Sequence, residues 1–220
     1  MRYNLLILFI TSFFLASAQE LIDTTYSINN VKISVADKPL NNEFLSLNIT
    51  TGNETLLFDT LEQWNSIAYI ELTNFDSDQF PDLMVCYLGN NPFYILYIFD
   101  SNTQKFRKIA DYHNFPDSKQ LTTEPNFYFS YHRAGCADLN WVSDLFKLEN
   151  FRIHHLGHIY GQGCDADIEH EPQQIEIFDV TLAGENKLRE TLNYLPNINE
   201  HSDKWEFIKK YWNEYAKKFK

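Results

Sequence analysis

The sequence predicts a mainly β protein: propeller-like or sandwich-like antiparallel sheets with one C-terminal α-helix. Three observations predict it. The chain carries 18 Phe and 13 Tyr against only 7 Gly, a composition that suits pleated, half-buried surfaces better than a helical bundle. Short apolar or alternating runs recur along its length, and each ends in Asn, Asp, Gly or Pro, the punctuation of strands and turns. Only the last stretch changes its apolar period to that of a helix.

Residues 1–18 have the form of a secretory signal peptide. Arg2 supplies the positive start, the apolar run 5–15 is too short to cross a bilayer, and Ala16-Ser17-Ala18 is a small-residue cleavage site. No Cys follows the run, so a lipid anchor is not indicated. No later segment is long and apolar enough to span a membrane. The mature chain, 19–220, is therefore expected to be a single exported domain, periplasmic or extracellular, large enough for one sizeable core.

Along that domain, 26–35 alternates loosely as a first strand. Pro39 and Asn41-Asn42 turn the chain, and 43–50 sets Phe44, Ser46 and Asn48 against Leu45, Leu47 and Ile49 as a half-buried strand. Thr51-Gly52-Asn53 turns it again into a strand that begins near Leu56. Asn48 and Asn53 both sit in N-glycosylation patterns, which have meaning only in a eukaryote. Residues 67–72 and 83–88 are strand-like runs on either side of a polar loop. Gly89-Asn90-Asn91-Pro92 makes a turn. Residues 93–99 are almost wholly apolar, as in a strand buried on both faces, and 105–112 return. This meander has the scale of one propeller blade. A polar loop fills 113–125. Then 126–132 places Phe127, Phe129 and Tyr131 on one face, and 137–148, 151–160 and 173–181 are further strands. Ser202 can cap a helix over 203–219. Trp205, Ile208, Trp212, Tyr215 and Phe219 form its apolar stripe, which reads as a packing face on the sheet.

The polar loop, 74–82, is the most informative stretch. Asn74, Asp76, Asp78 and Asp82 stand at its positions 1, 3, 5 and 9. Calcium is a hard cation that takes six to eight oxygens, and alternate side chains turned inward can supply them, with the carbonyl of Phe80 at position 7. Three carboxylates this close repel one another unless a cation lies among them. The plainer reading is an Asx-rich turn between strands. An EF-hand is excluded, because position 12 is Val85 rather than Glu.

The loop resembles the DxDxDGxxD loop of FG-GAP and VCBS-type repeats, which occur in β-propellers and related secreted β-proteins. It departs from that pattern at Asn74, which replaces the first Asp, and at Gln79, which replaces the Gly. No second such loop follows, so the chain is not a clean repeat array. With the leader and the Tyr97-Ile98-Phe99-Asp100 turn leading to Lys105-Phe106, the region 65–165 is similar to a family of exported bacterial proteins carrying one such loop. A group in that family binds and inhibits lysozyme-like toxins in the periplasm. The resemblance implies calcium as the cofactor and a protein as the partner. It carries over no inhibitory residue.

Of the three cysteines, Cys136 and Cys164 lie beside glycines at strand ends and are expected to pair in an oxidising compartment. Cys86 sits within an apolar strand as a buried thiol. The formal charge is −12, which disfavours nucleic acid and anionic lipid and would draw cations or a basic partner. The first functional expectation is accordingly an exported, calcium-stabilised protein-binding domain, an inhibitor of a basic lysozyme-like cell-wall hydrolase, rather than an enzyme.

The alternative is a secreted metal-dependent hydrolase built on Arg152-Ile153-His154-His155-Leu156-Gly157-His158. On a regular strand His154 and His158 share a face and His155 points away. With Asp165 or Asp167 that pair could ligate zinc. The plainer reading is a half-exposed polar strand beside a solvated acidic loop. No HExxH, GxSxG, P-loop or GxGxxG occurs.

Overall fold

A computed structural model describes residues 23–28, 31–41, 43–62, 66–164, 173–194 and 201–219. The expected leader and the acidic stretch with Asp165 and Asp167 lie outside the described residues. The protein is mainly β, with antiparallel sheets and one C-terminal helix, as its sequence predicts.

Three sheets follow one another along the chain. The first is a meander of β1 (Asp23–Ile28), β2 (Val31–Pro39), β3 (Phe44–Thr51) and β4 (Glu54–Glu62). The single strand expected over 26–35 is thus a hairpin, with Ile28 opposite Val31. The second is the expected meander: β5 (Ile67–Thr73), β6 (Asp82–Tyr87), β7 (Phe93–Asp100) and β8 (Lys105–Lys108). Its return strand is shorter than expected. It gives way to a 3₁₀ turn at Tyr112–Asn114 that tucks Tyr112 and Phe115 into the core.

The third sheet contains β9 (Lys119–Gln120), β10 (Phe127–Phe129), β11 (His132–Arg133), β12 (Asn140–Glu149), β13 (Arg152–Gln162), β14 (Gln174–Val180) and β15 (Asn186–Asn193). Its order is β15-β14-β13-β12-β10-β9, with β11 beside β12. β9 lies in the stretch expected to be pure loop, and β15 was not expected at all. No sheet closes into a barrel among the described residues.

The sheets stack, and the side-chain alternation of the middle one shows how. Leu83, Val85 and Tyr87 of β6, with Tyr97 and Phe99 of β7, pack on Leu45, Leu47, Ile49 and Leu61 of the first sheet. The residues between them, Cys86, Tyr94, Leu96 and Ile98, pack on Tyr128 and Phe146 of the third. β6 and β7 are therefore apolar on both faces because both faces are covered.

The far face of the third sheet, with Phe129, Trp141, Leu145, Ile159, Ile175 and Ile177, receives α1 (His201–Tyr215) and the 3₁₀ turn Ala216–Lys218. Ile208, Trp212 and Phe219 of the expected stripe lie on it. The Trp212 indole N–H donates to Ser143 Oγ at 2.9 Å. The helix begins one residue before Ser202, and its last turn tightens to 3₁₀ over 216–218.

Cys136 and Cys164 form the expected disulfide, with Cα atoms 5.8 Å apart, and Cys86 is a buried free thiol. In the chain-entropy account, closing that loop restrains the unfolded chain by about 3.5 kcal/mol. The 3₁₀ turn Cys136–Asp138 is also held from the helix side. Lys204, fully buried, donates its ammonium to the Asp138 carbonyl, and Tyr131 Oη donates to Asp138 Oδ1 at 2.6 Å.

Candidate functional sites

The loop 74–82 connects β5 to β6, and its acidic side chains mostly serve the loop's own backbone. Asp76 Oδ1 accepts from the Asp78 N–H at 3.1 Å, and Asp78 Oδ1 accepts from the Phe80 N–H at 2.6 Å. The Asn74 amide donates to the Asp78 carbonyl at 2.9 Å. Phe80 packs its ring on Phe99, 5.1 Å away. Asp82 is 1 % exposed and acts as the hub. Its Oδ2 accepts from Phe75 N–H at 2.8 Å and Asp76 N–H at 3.4 Å, and its Oδ1 from Phe99 N–H at 3.1 Å. It thereby ties the loop to β7.

The turn is made without glycine, as the sequence required. The left-handed residue is Ser77, at φ 61°, rather than Gln79. Ser77 Oγ donates to Gln120 Oε1 at 2.8 Å and links the loop to the third sheet.

The electrostatics of the loop are unfavourable to its own charges. Burial, then the charge of Asp76, pushes the Asp82 carboxyl up to about 7. Burial, with the charge of Asp78, also raises Asp76. The donor set is all oxygen, which fits calcium, and a divalent ion would relieve that repulsion. Asn74, Phe75 and Ser77 form one rim of a groove of about 1100 Å³. Lys119 and Gln120 line it from the third sheet, and Trp205 and Lys209 from α1.

The histidines sit elsewhere, and not as the alternating pattern places them. Between Leu145 and Phe146 the pairing of β12 with β13 slips by one residue: Phe146 faces His155, Leu145 faces Gly157, and Asp144 faces His158. Leu156 is the extra residue of a β-bulge, which reverses the facing of every residue before it relative to those after it. His154 and His158 therefore do not share a face, which corrects the expectation. His154 is exposed, opposite Lys147. His155 and His158 converge instead on Asp144, whose Oδ1 lies 2.9 Å from His155 Nε2 and 2.8 Å from His158 Nδ1.

Asp144 is 5 % exposed. Burial opposes its charge, but the two imidazoles outweigh burial and hold the carboxyl down at about 2. Its strand is fixed on the other side by Ser130, whose Oγ accepts from Asp144 N–H at 3.1 Å and whose N–H donates to Asp144 O at 2.9 Å. Rings of Phe115 and Phe178 lie 5.2 Å from His155 and 5.6 Å from His158.

Asp144 was missed by reading the sequence. The available signal was an aspartate inside the apolar strand Trp141-Val142-Ser143-Asp144-Leu145-Phe146, because a buried carboxylate must find partners.

No protein-family model matches the chain, and no curated protein matches it. Among solved structures it is similar to one described as a Xanthomonas Type IV secretion system related protein. The two share 16 % identity over 78 % of this chain and 98 % of that one, with a TM-score of 0.47, a likeness too loose to carry function. Among the described residues no helix is long and apolar enough to cross a membrane. Of the two glycosylation patterns, Asn53 lies exposed in a hairpin turn and Asn48 is half-buried in β3.

Proposed function

We propose that the chain is an exported, calcium-stabilised protein-binding domain, and that its partner is a basic, lysozyme-like cell-wall hydrolase which it inhibits. The observation that carries this reading is the loop 74–82. It carries oxygen donors of which Asp76 and Asp82 are raised by burial and by like charge, a state that a cation would relieve, and it forms a rim of the 1100 Å³ groove. Calcium held by Asn74, Asp76, Asp78, Phe80 O and Asp82 would fix that rim, with Ser77 transmitting its position to Gln120 across the groove. The net charge of −12 supplies long-range attraction to a basic partner. The leader-like residues 1–18 and the family resemblance support export and the class of partner.

The test is direct. The mature protein is mixed with a panel of basic lysozyme-like hydrolases, in calcium and in chelator, and cell-wall turnover and complex formation are measured. Stoichiometric inhibition of at least one hydrolase is expected, weakened by chelator and by Glu71→Lys in the groove. No association with any member of the panel at either calcium level overturns the reading.

A further inference from the structure

The geometry points to a transition-metal site separate from the loop: a zinc-class divalent ion bound by Asp144, His155 and His158, with His132 as the fourth ligand. Among the described residues this is the set of His, Cys, Asp and Glu side chains that converges, with the ligand atoms of Asp144, His155 and His158 within 4.8 Å of one another. The donors are two imidazole nitrogens and a carboxylate oxygen, which suit zinc and its neighbours and not calcium.

His132 belongs to the same face. It lies opposite Val142 on β11, and Val142 is two residues from Asp144 on β12, so both project to the same side of the sheet. Its Nδ1 is buried and has no hydrogen-bond partner. A buried ring nitrogen without a partner is costly; among the described residues it shares that state only with Gln162 Oε1, and metal ligation would satisfy it.

The three clustered donors need only a small movement, with His155 Nε2 giving up the Gly157 carbonyl 3.1 Å away, whereas His132 lies outside the 4.8 Å cluster and must swing its ring inward to complete the shell. Zinc holds nitrogen and oxygen ligands at about 2.0–2.2 Å, so tetrahedral donors stand about 3.3 Å apart. The two imidazole nitrogens are now 2.9 and 2.8 Å from Asp144 Oδ1. They would part by about half an ångström, each imidazole carrying its proton on its other nitrogen. An entry path exists, because His155 lines a surface cavity of about 430 Å³ between the 3₁₀ turn at Tyr112–Asn114 and the start of β13. Four protein ligands leave no open position, so the ion is structural. It joins β11, β12 and β13 beneath Phe115. The inference is independent of the calcium loop and of the proposed partner.

The experiment uses untagged mature protein, stripped with chelator, returned to excess calcium and titrated calorimetrically with Zn²⁺. One zinc per chain is expected, and Co²⁺ in its place should give the intense visible bands of a tetrahedral site. His155→Gln, His158→Gln and His132→Gln should each weaken zinc at least tenfold, since even outer partners of a metal ligand are worth 10–100-fold. His154→Gln, on the same strand but facing away, should leave the affinity unchanged, as should Asp76→Asn in the loop. Circular dichroism and the parent melting curve confirm that the His155→Gln protein is folded, because that half-exposed side chain can still donate to Asp144. Absence of zinc uptake by the parent overturns the site. So does a loss in His154→Gln equal to that in His158→Gln. An unchanged affinity in His132→Gln overturns the four-ligand form.

Discussion

At the scale of single residues, Asp82 and Asp144 are two buried carboxylates with opposite solutions. Asp144 is held ionised, against its burial, by the two imidazoles that hydrogen-bond to it. Burial, then the like charge of Asp76, raises the Asp82 carboxyl from 3.8 to about 7, and its backbone N–H donors offset this only in part. A carboxyl raised in the folded state contributes stability that is full below its unfolded value and is lost as pH climbs through the folded one. Without calcium, the Asp82 contribution is therefore present below about pH 4 and gone above about pH 7. On the proposed reading, calcium would bind the ionised form and reverse that loss. The difference in melting temperature between calcium and chelator should thus be small near pH 5 and grow to a plateau above about pH 8. A gap that is absent, or constant from pH 5 to 8, would count against calcium at this loop. That the loop crowds acidic side chains was legible from their spacing. Which carboxylate is buried was not, because Asp82 is sealed by β7, a contact remote in the sequence.

At the scale of elements, β13 shows where sequence periodicity succeeds and where it fails. Its length and its pairing with β12 follow from the apolar runs. Its facing does not, because the bulge at Leu156 is set by how two strands fit each other and by what must lie beneath them. Two glycines in β13 record that fit. A Cβ at Gly157 would come 2.8 Å from Phe219 Cδ1, and one at Gly161 would overlap the Trp141 ring. Both aromatics are core residues of the helix-facing layer. Gly161→Ala should therefore destabilise by about 1–3 kcal/mol through overpacking rather than through any backbone preference. Urea unfolding measures it, and a cost near zero would mean that Trp141 can move aside freely. The same principle explains why β15 escaped notice: residues 186–193 are almost all exposed and show no apolar alternation, so only backbone pairing to β14 makes them a strand. The β1–β2 hairpin did have a signal, Asn29-Asn30 between the two apolar runs, which is turn chemistry.

At the scale of the whole molecule, the layers are coupled because the middle sheet packs on a neighbour through each of its faces. Val85 belongs to the core it shares with the first sheet, and Leu96 to the core it shares with the third. Both residues are fully buried. Of the four tryptophans, Trp141, Trp205 and Trp212 all belong to the third, helix-facing core. In a Trp64→Phe background, tryptophan fluorescence therefore reports one end of the stack, and far-ultraviolet circular dichroism reports all of it. Truncating Val85 to Ala removes buried methyl groups at the opposite end and should cost about 1–3 kcal/mol. If the stack unfolds as one unit, that loss must move the fluorescence midpoint in urea as far as the dichroism midpoint, although no tryptophan is near Val85. Leu96→Ala should shift both together by a somewhat larger amount, since more side chain is lost. If Val85→Ala moved the dichroism curve alone, the first two sheets would form a unit that melts apart from the third. The groove between the second sheet and α1 could then open without global unfolding.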